Sequence, residues 1–227
     1  MIDDPAARSA QPARAAVNTG SALLLVALLA LIGSFVYGIR QPGATFVWGT
    51  NMISDLGDGS CRTWNERWVC SPGWLVFNMG CIVAGSATIT AAWTLRDGWG
   101  RRLAGGVAVL GLGLILLGVT PNNLNHPLHM MAAVVALPVP ALGLLITGIR
   151  PRTHAEQRGR WPRVILTSGC LVLCAEHLVP GGEVIAYGPA EMMAVLLLLL
   201  ALACDIAVLH AMVTATLPRS TGRDRAG

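Results

Sequence analysis

The run Ser21–Ile39, SALLLVALLALIGSFVYGI, decides how the rest of this chain is read. It carries no charge and matches the length of a helix that crosses a hydrocarbon core of roughly 30 Å, for which about 20 apolar residues are needed. Five runs of the same character follow, at Pro72–Leu95, Leu103–Thr120, Pro127–Ile149, Val164–Val179 and Ala190–Leu217. Composition agrees with that pattern. Of 227 residues 54% are hydrophobic and only 12% charged, whereas a soluble domain carries roughly a quarter charged. Mean hydropathy is +0.60. The expectation is an all-α polytopic membrane protein, a six-helix transmembrane bundle over residues 21–217 with no linker long enough for a second domain. Residues 1–20, polar and rich in Ala and Pro, read as a disordered tail, and 218–227 as a second polar tail. A signal peptide is the rival reading of the first run, but no small-x-small cleavage site follows it and its polar lead is long.

Arginine placement gives the orientation. All 16 basic residues are Arg, and 13 of them fall in the N-terminal tail, the second loop, the fourth loop and the C-terminal tail. The other three, Arg40, Arg62 and Arg67, lie in or beside the first loop. The positive-inside rule then places both termini in the cytoplasm (N-in/C-in). The net charge of +4 is therefore a topology signal and implies no nucleic-acid partner. The 7 tryptophans fall at or near span ends, Trp48, Trp64, Trp68 and Trp74 outside, Trp93, Trp99 and Trp161 inside, as interfacial belts require. A plasma membrane is the expected location.

Between the first two spans lies the polar stretch Asn51–Asn78, NMISDLGDGSCRTWNERWVCSPGWLVFN. Cys61 and Cys70 sit in it on the outer side, where disulfides persist, and a bridge there would staple the loop over the bundle. The cysteines within spans, Cys81, Cys170, Cys174 and Cys204, read as small apolar fillers. Small residues at Gly80, Ala84 and Thr88, and at Ala104, Gly111 and Gly118, let helices approach closely where lipid supplies no hydrophobic force. Pro138 and Pro140 should kink the fourth span.

Sorted by depth, the polar residues gather on the outer side. Ser54, Asp55 and Asp58 are in the loop, and Asn78 is just inside the second span. Asn122, Asn123, His126 and His129 bracket the start of the fourth, Glu176 and His177 end the fifth, and Glu191 opens the sixth. Polar groups at such depth are expensive and mark functional sites by default. Each also has a plainer reading: Asp55 as an Asx turn or cap, Glu191 as a first-turn carboxylate facing the helix dipole. His126 and His129, at i and i+3, suit zinc but lack a local third ligand. Asp205 lies far below, where it serves either a proton path or a bond to a neighbouring helix.

The order of motifs resembles the bacterial six-span membrane family catalogued as domain of unknown function 998 (DUF 998). The resemblance runs from about residue 22 to 215. It rests on Ile53-Ser-Asp-Leu-Gly57, Ser71-Pro72, Phe77-Asn78, Gly118-Val-Thr-Pro121, His129-Met-Met-Ala-Ala133, Gly188 and Glu191. Asn122 and Asn123 stand where that family often has an acid, and Met192 where it tends to have Arg. The I-S-D-x-G element is also remotely similar to the Frag, DRAM and Sfk membrane families, which implies a lipid association. An analogy by residue type to zinc-dependent alkaline ceramidases implies a hydrolase.

Three functions follow as expectations. The first is a protein whose outer-leaflet pocket binds a lipid head group or a membrane partner, with Ser54, Asn78, Asn122, Asn123, Glu176 and His177 as binding residues. A homo-oligomer is one form that partner takes. The second is an intramembrane hydrolase of a lipid-borne substrate, metal-dependent through zinc on His126 and His129 or acid–base through Asp55 and Glu191. The third is a proton-coupled carrier, disfavoured because no inverted repeat is visible.

Overall fold

The computed structural model describes residues 13–176 and 184–215. Helices dominate: α1 (Arg14–Arg40), α2 (Trp74–Trp99), α3 (Arg101–Val119), α4 (His126–Ala136), α5 (Pro138–Ile149), α6 (His154–Arg158), α7 (Arg160–Glu176) and α8 (Tyr187–Ala215). A short hairpin, β1 (Arg62–Trp64) and β2 (Arg67–Val69), is inserted between α1 and α2. Among the described residues, α1, α2, α3, α8 and the pair α4–α5 are long and apolar enough to cross a membrane. This is a multi-pass membrane protein. Helix α7, with 17 residues, spans about 26 Å at helical rise. The end expected for that run, residues 177–179, lies outside the described residues, as do most of the expected tails and the last two residues expected in the final run.

Several boundaries differ from the sequence reading. Residues 14–20, expected in the disordered tail, extend α1 by two turns. Val17 there is fully buried in a cluster with Ala92, Leu95 and Trp99, and packing of that kind overrides a weak local signal. Helix α2 runs on to Trp99 through the stretch expected as a basic turn, and Gly100 alone separates it from α3. Gly100 has φ +86°, a conformation that favours glycine. Trp99 is not interfacial but wholly buried at this junction, while Trp93, Trp161, Trp48 and Trp68 are more than half exposed, as belt residues are.

The expected kink in the fourth run falls at Leu137, the one residue that separates α4 from α5. Pro138 and Pro140 have no N–H with which to continue the ladder. The basic stretch 150–163, expected as a loop, holds α6 and the start of α7. Thr153 and Glu156 form a capping box there: the Glu156 N–H donates to Thr153 Oγ1 at 3.1 Å, and the Thr153 N–H donates to Glu156 Oε2 at 3.3 Å. Arg163, expected in the fourth loop, is 1% exposed. Its guanidinium forms a two-pronged ion pair with Asp205 on α8 and donates through Nη1 to the Glu156 carbonyl at 3.1 Å. Of the two roles open to Asp205, the bond to a neighbouring helix is the one observed.

Small residues set the helix spacing. A Cβ on Gly111 would lie 2.6 Å from the Gly85 carbonyl oxygen, and one on Gly85 would meet the Gly111 carbonyl in turn, so α2 and α3 touch backbone to backbone. Gly80 lies against Ser34, fixing α1 to α2. Helix α7 packs on α5 and α8, and α8 meets α1 chiefly at its far end, where Ser21 Oγ and His210 Nε2 are 2.9 Å apart. The end of the bundle bearing the hairpin is called the loop end below.

Candidate functional site

The loop end is organised by the single turn of 3-10 helix at Ile53–Gly57. Each residue of this short motif has a distinct physical task. Asp55 Oδ2 accepts from the Met52 N–H at 2.9 Å and from Asn51 Nδ2 at 3.1 Å, which winds the turn. Both carboxylate oxygens then accept from Arg67, Nε and Nη2, each at 2.8 Å. Fork-to-fork pairing of this kind is the strongest form of ion pair, and it joins the turn to β2. Leu56, 1% exposed, plugs into Phe77, Cys81, Phe35 and Ile39, and so seats the turn on α1 and α2. Burying one leucine is worth roughly 2 kcal/mol. Gly57 permits the close approach of α2: a Cβ there would sit 2.5 Å from Asn78 Oδ1, while Asn78 Nδ2 donates to the Gly57 carbonyl at 3.1 Å.

The hairpin is stitched to this turn. Asn65 and Glu66 both have positive φ, 45° and 63°, the geometry of a tight two-residue hairpin turn. Cys61 and Cys70 flank it at disulfide distance. Ser71 Oγ donates to the Leu56 carbonyl at 2.7 Å. Asp58 is buried and accepts from the Ser60 N–H, the Ser60 hydroxyl and Arg62. Arg62 in turn lies over the Trp64 ring, 4.3 Å from its centre. Asp55 and Asp58 thus hold the lid together.

On the far side the lid rests on α8. Gly188 faces the backbone of Thr50 and Asn51 so closely that a Cβ would collide with the Asn51 carbonyl. One turn later Glu191 accepts from the Ser54 N–H at 3.3 Å. Helices α1 and α8 are bridged at one end by this lid and at the other by Ser21 and His210, and between those ties they stand apart.

The gap is a cleft of about 510 Å³, within the usual range of ligand sites. One wall is a stripe of α1 that includes Leu24, Leu28, Leu31 and Phe35, and the other a stripe of α8 running from Glu191 to Ile206. The α8 stripe covers about 22 Å at helical rise, more than one leaflet's share of the hydrocarbon, roughly 15 Å. Three rim residues, Leu25, Ile32 and Trp48, are 54%, 51% and 58% exposed, so the cleft opens sideways, toward the surface that lipid covers. Its polar lining is concentrated at the loop end: Ser54, Asn78, His129 and Glu191.

No described family, curated protein or solved structure matches this chain. The site is therefore read from its geometry alone.

That geometry divides the residues expected from sequence. Ser54, Asn78, His129 and Glu191 meet at one cleft. Asp55, expected beside Glu191 as a catalytic or ligand carboxylate, is turned into the lid by Arg67 and Asn51. Asn122 and His126 bond each other, Oδ1 to Nδ1 at 2.6 Å, with the exposed His126 ring edge-on to Trp64 at 5.3 Å. Asn123 Oδ1 accepts from the Gly59 N–H at 3.2 Å, a lid contact. Glu176 accepts from the Val184 and Ile185 N–H groups at 2.6 and 2.7 Å. His177 lies outside the described residues. For zinc, His126 and His129 have separate partners, Asn122 and the Thr120 carbonyl, and among the described residues no group of three or more His, Cys, Asp or Glu side chains could hold a metal.

The sequence reading missed the apolar wall of α1 and the tie between Ser21 and His210. A leucine stripe facing a cleft and one facing lipid have the same spacing, so periodicity carried no signal. Arg67 was findable: it is one of only three arginines expected on the outer side, and Asp55 and Asp58 were its available partners.

Proposed function

We propose that this chain is a lipid-binding protein that spans a bacterial plasma membrane six times, with both termini in the cytoplasm and the loop end outside. The arginine asymmetry supports the orientation, and α7, with 17 residues, would supply the sixth crossing. The resemblance to the DUF 998 family supports the bacterial setting. One observation carries the functional reading: an apolar cleft that opens sideways between α1 and α8 and ends in four polar residues under a lid. A lipid entering from the outer leaflet would lay its chain between the helices and bring its head to Ser54, Asn78, His129 and Glu191.

Native mass spectrometry of protein extracted from its own membrane tests this. A retained lipid, displaced when Leu28 and Leu199 on the two walls are changed to Trp, is the expected result. A protein that carries no lipid, and that gains none from added extracts, refutes it. A second reading, an acid–base hydrolase, draws on His129 and Glu191 sharing the cleft, and predicts turnover of a bound ester or amide that His129→Gln abolishes.

A further inference from the structure

We infer that the cleft selects an amphiphile whose head donates hydrogen bonds, an alcohol or an amine, against one with an anionic head. The inference rests on the lipid-binding reading above and narrows its ligand.

The hydrogen-bond bookkeeping at the loop end is one-sided. His129 Nδ1 is 2.9 Å from the Thr120 carbonyl oxygen. A carbonyl can only accept, so Nδ1 carries a proton, and in the neutral ring Nε2 bears a lone pair. His129 therefore enters the cleft as an acceptor. Glu191 brings a carboxyl group. Most donors nearby are already engaged: the Ser54 N–H and hydroxyl with Glu191, and one hydrogen of Asn78 Nδ2 with the Gly57 carbonyl.

Positive charge is missing from the same place. Among the described residues lining the cleft there is no arginine. The two arginines of the lid are held away from it, Arg67 by Asp55 and Arg62 by Asp58. A phosphate or carboxylate head would be stripped of water beside Glu191 with no guanidinium to offset its charge, and an unpaired buried charge is costly. A hydroxyl or ammonium head would find acceptors at Glu191 and His129 instead.

The test uses the full-length protein in nanodiscs of phosphatidylcholine. Three probes that differ only in the head, a long-chain alcohol, the matching primary amine and the matching fatty acid, carry bromine on the chain next to the head. Quenching of Trp48, which lines the mouth of the cleft, is read as the difference between the protein and its Trp48→Phe variant. The expected result is apparent affinity for the alcohol and the amine at least about tenfold above that for the fatty acid. Glu191→Gln should narrow the gap between amine and fatty acid. The head comparison on the unaltered protein stands whether or not that variant folds. Fatty acid binding as tightly as the alcohol and the amine overturns this inference and leaves the lipid-binding reading in place. If no probe quenches Trp48 beyond the level set by the bilayer, both are overturned.

Discussion

Replacing Asp55 by Asn separates a structural lid residue from a ligand-binding one. Asp55 and Arg67 are 5% and 9% exposed at their side chains and paired through both oxygens. Asn keeps the shape and can still accept from the Met52 N–H, but it removes the charge. Arg67 is then left as a buried cation without its counter-ion. Breaking one partner of such a pair costs about 3–5 kcal/mol, and because Asn saves part of the local hydrogen bonding, about 3 kcal/mol is expected here. Arg67→Gln alone should cost a similar amount. The double variant strands no charge, so it should fall short of the sum of the singles by about 2 kcal/mol. Equilibrium unfolding in mixed detergent micelles, followed by tryptophan fluorescence, measures all four corners of the cycle. An Asp55→Asn protein destabilised by less than about 1 kcal/mol, yet unable to hold lipid, would refute the lid assignment and return Asp55 to the binding site.

Other expectations are independent of that one. Cys61→Ser opens a loop with a sequence separation of 9 and should cost up to about 2.7 kcal/mol by loop entropy; a reductant should lower the melting temperature of the parent protein and leave that of the variant unchanged. Gly85→Val forces α2 away from the Gly111 backbone and should destabilise by about 1–3 kcal/mol, while Gly33→Val, facing open space, should leave the melting temperature nearly unchanged. Asp205→Asn strands Arg163, both of them 1% exposed, and should cost about 3–5 kcal/mol; replacing both residues by Leu and Met should restore most of it. Proteoliposomes should show the same proton leak with and without the Asp205 change.

The sequence made the helices legible because the bilayer imposes a length and a composition on each crossing. It also brought out the loop end, where polar residues have to be accounted for. What it left unread was pairing. Asp55 and Glu191 look alike in the chain, both acids on the outer side, and only the position of Arg67 on the hairpin decides that one of them is consumed. Arg163 sat in a stretch that reads as basic loop, and its burial depends on Asp205, which is remote in sequence. The kink at Leu137 was visible because proline acts locally. The extension of α1 through Val17 was not, since it depends on Leu95 and Trp99.

The contact between Ser54 and Glu191 joins residues separated by 137 positions, and Gly188 meets Thr50 and Asn51 across a similar distance in the chain. A ribosome delivers these partners far apart in time. The hairpin and its ion pair can form while most of the bundle is still unmade, but the mouth of the cleft stays unfinished until the final helix has been inserted. A nascent or truncated chain lacking that helix would display a folded lid with nothing beneath its free edge, and the surveillance machinery of the membrane would find there the mark of an incomplete molecule.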